Sequence, residues 1–390
     1  MIDKKEMKKG VCFLIESPFP HYAGGIENWL YNVTTRLSSD SRVVILSEQP
    51  YFFKESLYNL PDSLIVCNYK TIRKYKFIRM LMRFSLFYLI FSKWQVRNMK
   101  NKLSEVIVDY GISNIVALNT MNAARAVYSV KKQKDNILYI CSSRGPHAQV
   151  ISKNHPLIST YLHRFEIFNM QKADVVWTNG YDMRDYYEVF GVNSTVMKNG
   201  VEIRKFSEVT SSPYASSDKV IVSVATLIDI KCISELIEAF SIVVREGACN
   251  CLLYFVGKGD QTKYKELAGR LNVADKVIFV GHKADVRPYL QHADVIACLS
   301  GGGGFSMAAL EAMSSNTPII AWDTPVYRQF ILQSKTMELV KEKDVKMLSE
   351  KIIDIISFPE KYNDMRKNAL LVANGFDWQV IVNEIRKALK

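Results

Sequence analysis

The sequence lacks the marks of a secreted, metal-bound or membrane-spanning protein. Its 390 residues include seven cysteines at irregular spacing, with no C-x-x-C pair. Cys249-Asn250-Cys251 is the nearest approach, and its spacing suits neither a zinc site nor a redox pair. Reduced, buried thiols in a cytoplasmic protein are the expected state. No Asp-x-Asp pair ends an apolar run, so neither a metal nor another cofactor is expected. The charged start MIDKKEMKKG and the short run VCFLI behind it do not make a signal peptide. In Lys76–Lys102, Arg79, Arg83 and Lys93 confine the apolar core to Phe84–Ser92. That is well short of the ~20 residues that span a bilayer. Short-period repeats and low-complexity tracts are absent. Acidic residues are missing from Ser63 to Ser104, a stretch with ten Lys/Arg.

What is present is globular composition, 48% apolar and 23% charged, in a chain long enough for two domains. The net charge of +12 is uneven: residues 1–200 hold 27 Lys/Arg against 16 Asp/Glu, and residues 201–390 hold 24 against 23. Short apolar runs alternate with amphipathic stretches, the pattern of α/β Rossmann-like domains. VCFLIES, RVVILS, SLIVCN, NIVALN, ILYICSS and DVVWTN read as strands of a first domain, with helices near Glu27–Leu37, Phe77–Val108 and Met121–Lys132. VIVSVAT, CLLYFVG, KVIFVG, DVIACLS and TPIIAWD read as strands of a second, with helices near Ile233–Arg245, Thr262–Leu271, Val286–Gln291 and Phe305–Ser314. The polar SSPYASSD places the boundary near Asn199–Lys219, and the tail from Val345 reads as helical.

The most telling stretch is Asp294–Asp323, which reads as strand, glycine loop, helix, turn and strand. Ser300-Gly301-Gly302-Gly303-Gly304 lets backbone approach a ligand closely. A helix opening behind such a loop favours an anion through its free N–H groups and its dipole. Glu311, two turns into the expected helix, is a carboxylate suited to the hydroxyls of a ribose. A second Gly-Gly turn, Gly24-Gly25, precedes the first helix, and Lys231 lies one short loop beyond VIVSVAT, where a cation reaches a diphosphate. A solvated loop lysine is the plain alternative for Lys231.

Asp294–Asp323 resembles the signature of the retaining family-4 glycosyltransferases (glycosyl transferases group 1), enzymes of the GT-B fold. That signature runs roughly S-x-x-E-G-F-G-x-x-x-x-E-A-M-A-x-G-x-P. Gly304-Phe305-Ser306, Glu311-Ala312-Met313, Pro318 and Asp323 fall into place, whereas the first glutamate of the family's pair falls at Gly303. In the family the first glutamate contacts the donor sugar and the second the ribose. The resemblance thus implies an intact nucleotide half and an altered sugar half. Other stretches agree in order. Gly24, Gly25 and Glu27 match G-G-x-E, and Lys198-Asn199-Gly200-Val201 with Phe206 resembles P-N-G-V-D…F, with Lys198 in place of proline. Ala225 to Cys232 resembles G-R-x-x-x-x-K-G, keeping Lys231 but with Thr226 for arginine and Cys232 for glycine. Val256-Gly257-Lys258-Gly259 resembles V-G-x-G; Val280-Gly281 resembles F-x-G, followed by the base-contacting positions His282 and Lys283. Ser143-Arg144-Gly145-Pro146 resembles an acceptor-side turn. The family's first-domain histidine has no counterpart at Asn119, Ser142 or Ser143; His147 lies nearby, in a polar turn where histidines are more often solvated.

The resemblance implies two Rossmann-like domains facing a central cleft. Residues 9–197 would bind acceptor, 198–377 would bind nucleotide-sugar, and a C-terminal helix, 378–390, would cross back to the first domain. It implies transfer of a sugar from a UDP- or GDP-sugar to a glycan or lipid-linked acceptor, with retention, in surface polysaccharide or lipopolysaccharide biosynthesis. Catalytic roles would fall to Lys231, Arg144 and Ser143. Donor-binding roles would fall to Gly24, Gly25, Asn199, Thr226, Lys231, Gly257, His282, Lys283, Gly303, Gly304, Phe305, Ser306, Met307 and Glu311. The first alternative is a degenerate GT-B protein that binds nucleotide, glycan or a partner without transfer. A second is a nucleotide-sugar epimerase, for which no carboxylate–histidine constellation is evident. Lys76, Arg79, Arg83, Lys93, Arg97 and Lys100 fall within an arc of roughly 120° at ~100° per residue. They form either the solvated face of a domain helix or a basic surface held at the inner face of an anionic membrane. No nucleic-acid module accompanies them.

Overall fold

Short runs of Val, Ile and Leu with buried side chains along their length form strands covered on both faces. The computed structural model of the chain describes residues 10–21, 25–50, 56, 58–73, 75–214, 218–247, 250–301, 305–331 and 333–389. Its contacts divide the chain into two units, Met1–Lys198 with Trp378–Lys390, and Asn199–Asp377.

The first unit runs β1 (Gly10–Leu14), α1 (Gly25–Leu37), β2 (Val43–Glu48), β3 (Leu64–Tyr69), α2 (Lys76–Leu81), α3 (Ser85–Tyr110), β4 (Ile112–Ala117) and α4 (Asn122–Lys131). It continues through β5 (Leu138–Ser143), α5 (His147–Ser152), α6 (Ser159–Gln171), β6 (Val175–Thr178), α7 (Tyr181–Glu188) and β7 (Thr195–Val196). The sheet is parallel in the order β3-β2-β1-β4-β5-β6-β7. Register pairs Phe13 with Ile45 on one side and with Val116 on the other.

The second unit runs α8 (Ile203–Ser207), β8 (Lys219–Val224), α9 (Ile233–Arg245), β9 (Cys251–Val256), α10 (Thr262–Arg270), β10 (Val277–Gly281), α11 (Arg287–Gln291) and β11 (Val295–Cys298). Then come α12 (Met307–Ser314), β12 (Ile319–Trp322), α13 (Pro325–Arg328), β13 (Glu338–Val340), α14 (Val345–Ser357) and α15 (Asn363–Asn374). Its parallel sheet is ordered β10-β9-β8-β11-β12-β13. The last helix, α16 (Trp378–Ala388), returns to the first unit: Trp378, Ile381, Val382 and Ile385 pack with Trp29, Leu30 and Val33 of α1. Arg386 there pairs with Asp40 at 3.1 Å. Phe376, two residues before Trp378, packs instead against Phe305 and Phe330 of the second unit.

Three expectations need correction. The single helix Phe77–Val108 is two helices, α2 and α3, with Phe84 extended at the break. The helix behind the glycine loop begins at Met307, capped by Ser306, whose Oγ accepts from the Ala309 N–H at 3.2 Å. Glu311 is therefore just over one turn in. The short strands β7 and β13 carry too little apolar sequence to stand out. No helix among the described residues is long and apolar enough to cross a membrane.

Candidate active site

In each sheet the strand order reverses beside the first strand, between β1 and β4 and between β8 and β11. Loops leaving the carboxyl ends of two such strands diverge and open a crevice, where ligands of open α/β sheets bind. In the second unit the loop after β8 carries Thr226 and Lys231, and the loop after β11 carries Ser300 and Gly301. The two are tied directly: the Gly301 N–H donates to Ile230 O at 3.0 Å, and Lys231 Nζ donates to Ser300 Oγ at 3.1 Å. Tyr327 on α13 holds the same loop from beneath, its hydroxyl accepting the Ser300 N–H at 2.9 Å. Burial holds the Lys231 ammonium below its usual pKa. No carboxylate pairs with Lys231 among the described residues, so an anion in the crevice would be its first counter-charge.

Glu311 sits on the half-buried face of α12 and has no hydrogen-bond or ion-pair partner among the described residues. Burial, with a smaller push from the Asp285 carboxylate, raises its pKa to about 7. An unpaired carboxylate in that condition is stabilised by a ligand that brings hydroxyl donors. The sequence motif places only one glutamate here, but the fold supplies a second carboxylate. Glu342, just after β13, lies so near the loop that a Cβ on Gly301 would sit 2.8 Å from its Oε1. Sequence reasoning missed Glu342 because it meets Gly301 only in the folded sheet, after a strand of three residues.

The remaining expected donor residues divide by location. Gly257 and Gly259 follow β9 against the β8 loop; a Cβ on Gly257 would lie 1.9 Å from the Ala225 carbonyl oxygen, so only glycine fits. His282 and Lys283 are exposed behind Gly281, whose φ is +78°. Asn199 is buried, and Thr226 and Met307 are half-buried. The Phe305 ring packs in an aromatic cluster with Phe330 and Phe376, at centroid distances of 5.3 and 5.7 Å, and so anchors the loop's exit. Gly24, Gly303 and Gly304 lie outside the described residues.

The first unit fills its crevice with internal pairs. Gly25 opens α1 with open space beside it, while the buried Glu27 accepts a hydrogen bond from Ser17 at the end of β1. Glu16 accepts from the Ala123 N–H at 2.9 Å, and Arg73 lies between Glu16 and Glu48, 3.9 and 3.5 Å away. Ser143 and Arg144 end β5, but both face inward. Ser143 Oγ donates to Gly145 O at 3.0 Å and meets the Tyr187 hydroxyl at 3.2 Å. The Arg144 guanidinium stacks on Trp29 at 3.7 Å, donates to Met197 O at 3.1 Å, and is lowered by burial to about 9. His147, by contrast, is drawn into a chain. Its Nδ1 lies 3.0 Å from Thr120 Oγ1, which donates to Glu166 at 2.5 Å. With the Thr120 hydrogen given to Glu166, Nδ1 must carry the imidazole proton, leaving Nε2 as acceptor. Burial lowers His147 to about 4, so the ring is neutral at pH 7. A larger hollow, about 560 Å³, lies by Asp174 and Asn193 at the amino ends of β6 and β7, the wrong end of the sheet for such a ligand.

Residues 207–390 match the model of the family described as glycosyl transferases group 1. Through that region, a little under half of its length, the chain is similar to the group 1 glycosyltransferases. Among curated proteins it is 24% identical over 156 residues to N-acetyl-alpha-D-glucosaminyl L-malate synthase of Bacillus anthracis, covering 40% of each chain. It is 25% identical over 143 residues to phosphatidyl-myo-inositol mannosyltransferase of Mycobacterium leprae, covering 35% of this chain and 36% of that one. The matches thus span about two fifths of these relatives. HepE of Anabaena, solved in complex with UDP, superposes with a TM-score of 0.73 at 17% identity over 98% of this chain and 99% of that one. The fold is the two-domain GT-B fold.

Proposed function

We propose that the protein transfers a sugar from a nucleoside-diphosphate donor to a glycan or lipid-linked acceptor. The observation that carries this is the crevice of the second unit. There Lys231 reaches Ser300, the Ser306-capped amino end of α12 follows in the chain, and the unpaired Glu311 lies on that helix. The cation and helix end would meet the diphosphate, and Glu311 the ribose hydroxyls. As the sugar leaves, charge grows on the diphosphate, and a fixed ammonium in a half-buried site stabilises it without reorganisation. With Thr226 where the family has arginine, Lys231 would be the principal side-chain cation there. In a retaining transfer the leaving phosphate takes the acceptor's proton on the same face of the sugar, so the protein's part is positioning and charge stabilisation. On the acceptor side, His147 Nε2 would accept a hydrogen bond from a second, non-reacting hydroxyl of the acceptor. No metal is needed in this scheme. UDP, bound by HepE, is the first donor base to try.

The lipid-linked form of the acceptor is supported by the surface of α2 and α3. Phe77, Phe84, Leu86 and Ile90 are each more than half exposed, and Lys76, Arg79, Lys93 and Arg97 on the same helices, with Arg83 in the break between them, are exposed too. The aromatics share the solvent side with the cations and do not all turn to the sheet. That combination suits an anionic membrane on its cytoplasmic side. A thermal-shift panel of UDP, GDP and ADP with their sugar conjugates tests the donor reading. Selective stabilisation by one nucleotide family is expected. No shift with any of them would turn the reading towards a binding protein without transfer.

A further inference from the structure

The first unit contains an apolar cavity of about 190 Å³ between α3, α4 and α6, its floor packed against Ala148, the neighbour of His147. Its floor is the buried side chains of Tyr88, Met121 and Leu162, and its wall includes Lys93 and Arg125. Neither cation has a carboxylate partner among the described residues. Arg125 is held over aromatic faces instead, 5.3 Å from the Phe168 centroid and 5.9 Å from that of Phe165. Lys93 is exposed at the mouth, as is Tyr161 on α6. Two acids lie near: Glu16, which reaches the lining residue Asn122 at 3.3 Å but is turned toward Arg73 and the Ala123 N–H, and Glu166, which accepts from Thr120.

An apolar floor beneath two unpaired cations is complementary to one chemistry, a hydrocarbon chain with an anionic head. The rim supports it. Phe87, Ile90 and Trp94 lie within two turns of Lys93 on the exposed side of α3, and Leu157 before α6 is 92% exposed. A lone void in a core would carry no charge on its wall, and a simple anion site would not be floored with leucine and methionine.

We propose that this cavity binds the proximal alkyl segment of a phosphate-headed lipid, with the phosphate between Lys93 and Arg125. The site deepens the lipid-linked acceptor reading and rests on it for its biological role, but its binding chemistry is separate from the donor crevice. The test is calorimetric titration of the full chain with butyl, hexyl, octyl and decyl phosphate below their micelle concentrations, with inorganic phosphate and octanol as controls. Each methylene buried should tighten binding about fourfold. The cavity is finite, so the gain should stop once it is full. Val96→Phe, which intrudes into the cavity, should move that plateau to a shorter chain, and Lys93→Gln with Arg125→Gln should abolish the preference for octyl phosphate over octanol. UDP titrated into the same samples reports whether the fold and donor site are intact. Affinity that climbs through decyl phosphate without a break, equal binding by the Val96→Phe variant, or no binding of octyl phosphate by a UDP-competent sample would each overturn the proposal. Failure of UDP binding with a retained alkyl plateau would instead sink the donor reading alone.

Discussion

The two units share one strand order up to the sixth strand and treat its crevice in opposite ways. The first closes its polar groups on one another: Ser17 with Glu27, Arg73 with Glu16 and Glu48, Arg144 with Trp29, Thr120 with Glu166. The second leaves Glu311 without a partner and gives Lys231 only a serine hydroxyl. Paired groups stabilise a scaffold, whereas buried groups left without counter-charge cost stability and await a ligand. At these strand ends the first unit thus pairs its charges internally, whereas the second leaves a cation and a carboxylate without counter-charge.

The sharpest way to break this comparison is through its glycines. Gly257→Ala drives a Cβ into the Ala225 carbonyl and should cost about 1–3 kcal/mol or more. Gly25→Ala enters open space and should change stability by under about 0.5 kcal/mol. Equal melting temperatures for the two variants would show that the second unit's turn is not tightly packed. Next in size, Lys231→Ala should lower donor turnover by about 100-fold with the fold retained. A comparable loss from Arg144→Lys without loss of stability would move the chemistry to the first unit. Smaller again is the membrane effect. Phe84→Ser with Phe87→Ser should leave UDP binding unchanged and reduce sedimentation with anionic vesicles several-fold. Undiminished sedimentation would assign that face to solvent.

The smallest effect is a stability change with a defined sign. The Glu311 carboxyl is raised in the folded state, so between its unfolded value near 4.5 and its folded value of about 7 the native state binds more protons than the unfolded. Its cost to stability therefore grows as pH rises through that window and is complete above it. Glu311→Gln should raise the melting temperature of the unliganded protein at pH 8 by roughly a few degrees and leave it unchanged at pH 4. A variant no more stable than the parent at pH 8 would mean that Glu311 is already satisfied.

The crevice of the second unit was the more legible half because its pattern is local. A glycine run, a helix cap and a carboxylate follow one another within Ser300–Glu311, and Lys231 stands at a fixed distance from its strand. Close backbone approach explains why Gly257 could be picked out by motif alone. The first unit was harder because its arrangement is made by contacts distant in sequence. Nothing in the turn around Ser143 and Arg144 tells that both side chains point inward, or that Thr120 and Glu166 fix the tautomer of His147. Glu342 was missed for the same reason: it meets the glycine loop only in the folded sheet. Helical periodicity also joined α2 to α3, since the break at Phe84 carries no proline or glycine.

The central claim is that Glu311 in the second unit receives the nucleotide. Calorimetric titration of UDP and GDP into the parent and into Glu311→Ala, at pH 6 and pH 8, tests it most directly. Ribose hydroxyls donate to the ionised carboxylate, so one nucleotide should bind the parent more tightly at pH 8 than at pH 6. It should bind Glu311→Ala at least about tenfold more weakly at pH 8, the loss of a hydrogen bond to a charged group. The same affinity in parent and variant at both pH values would contradict the account.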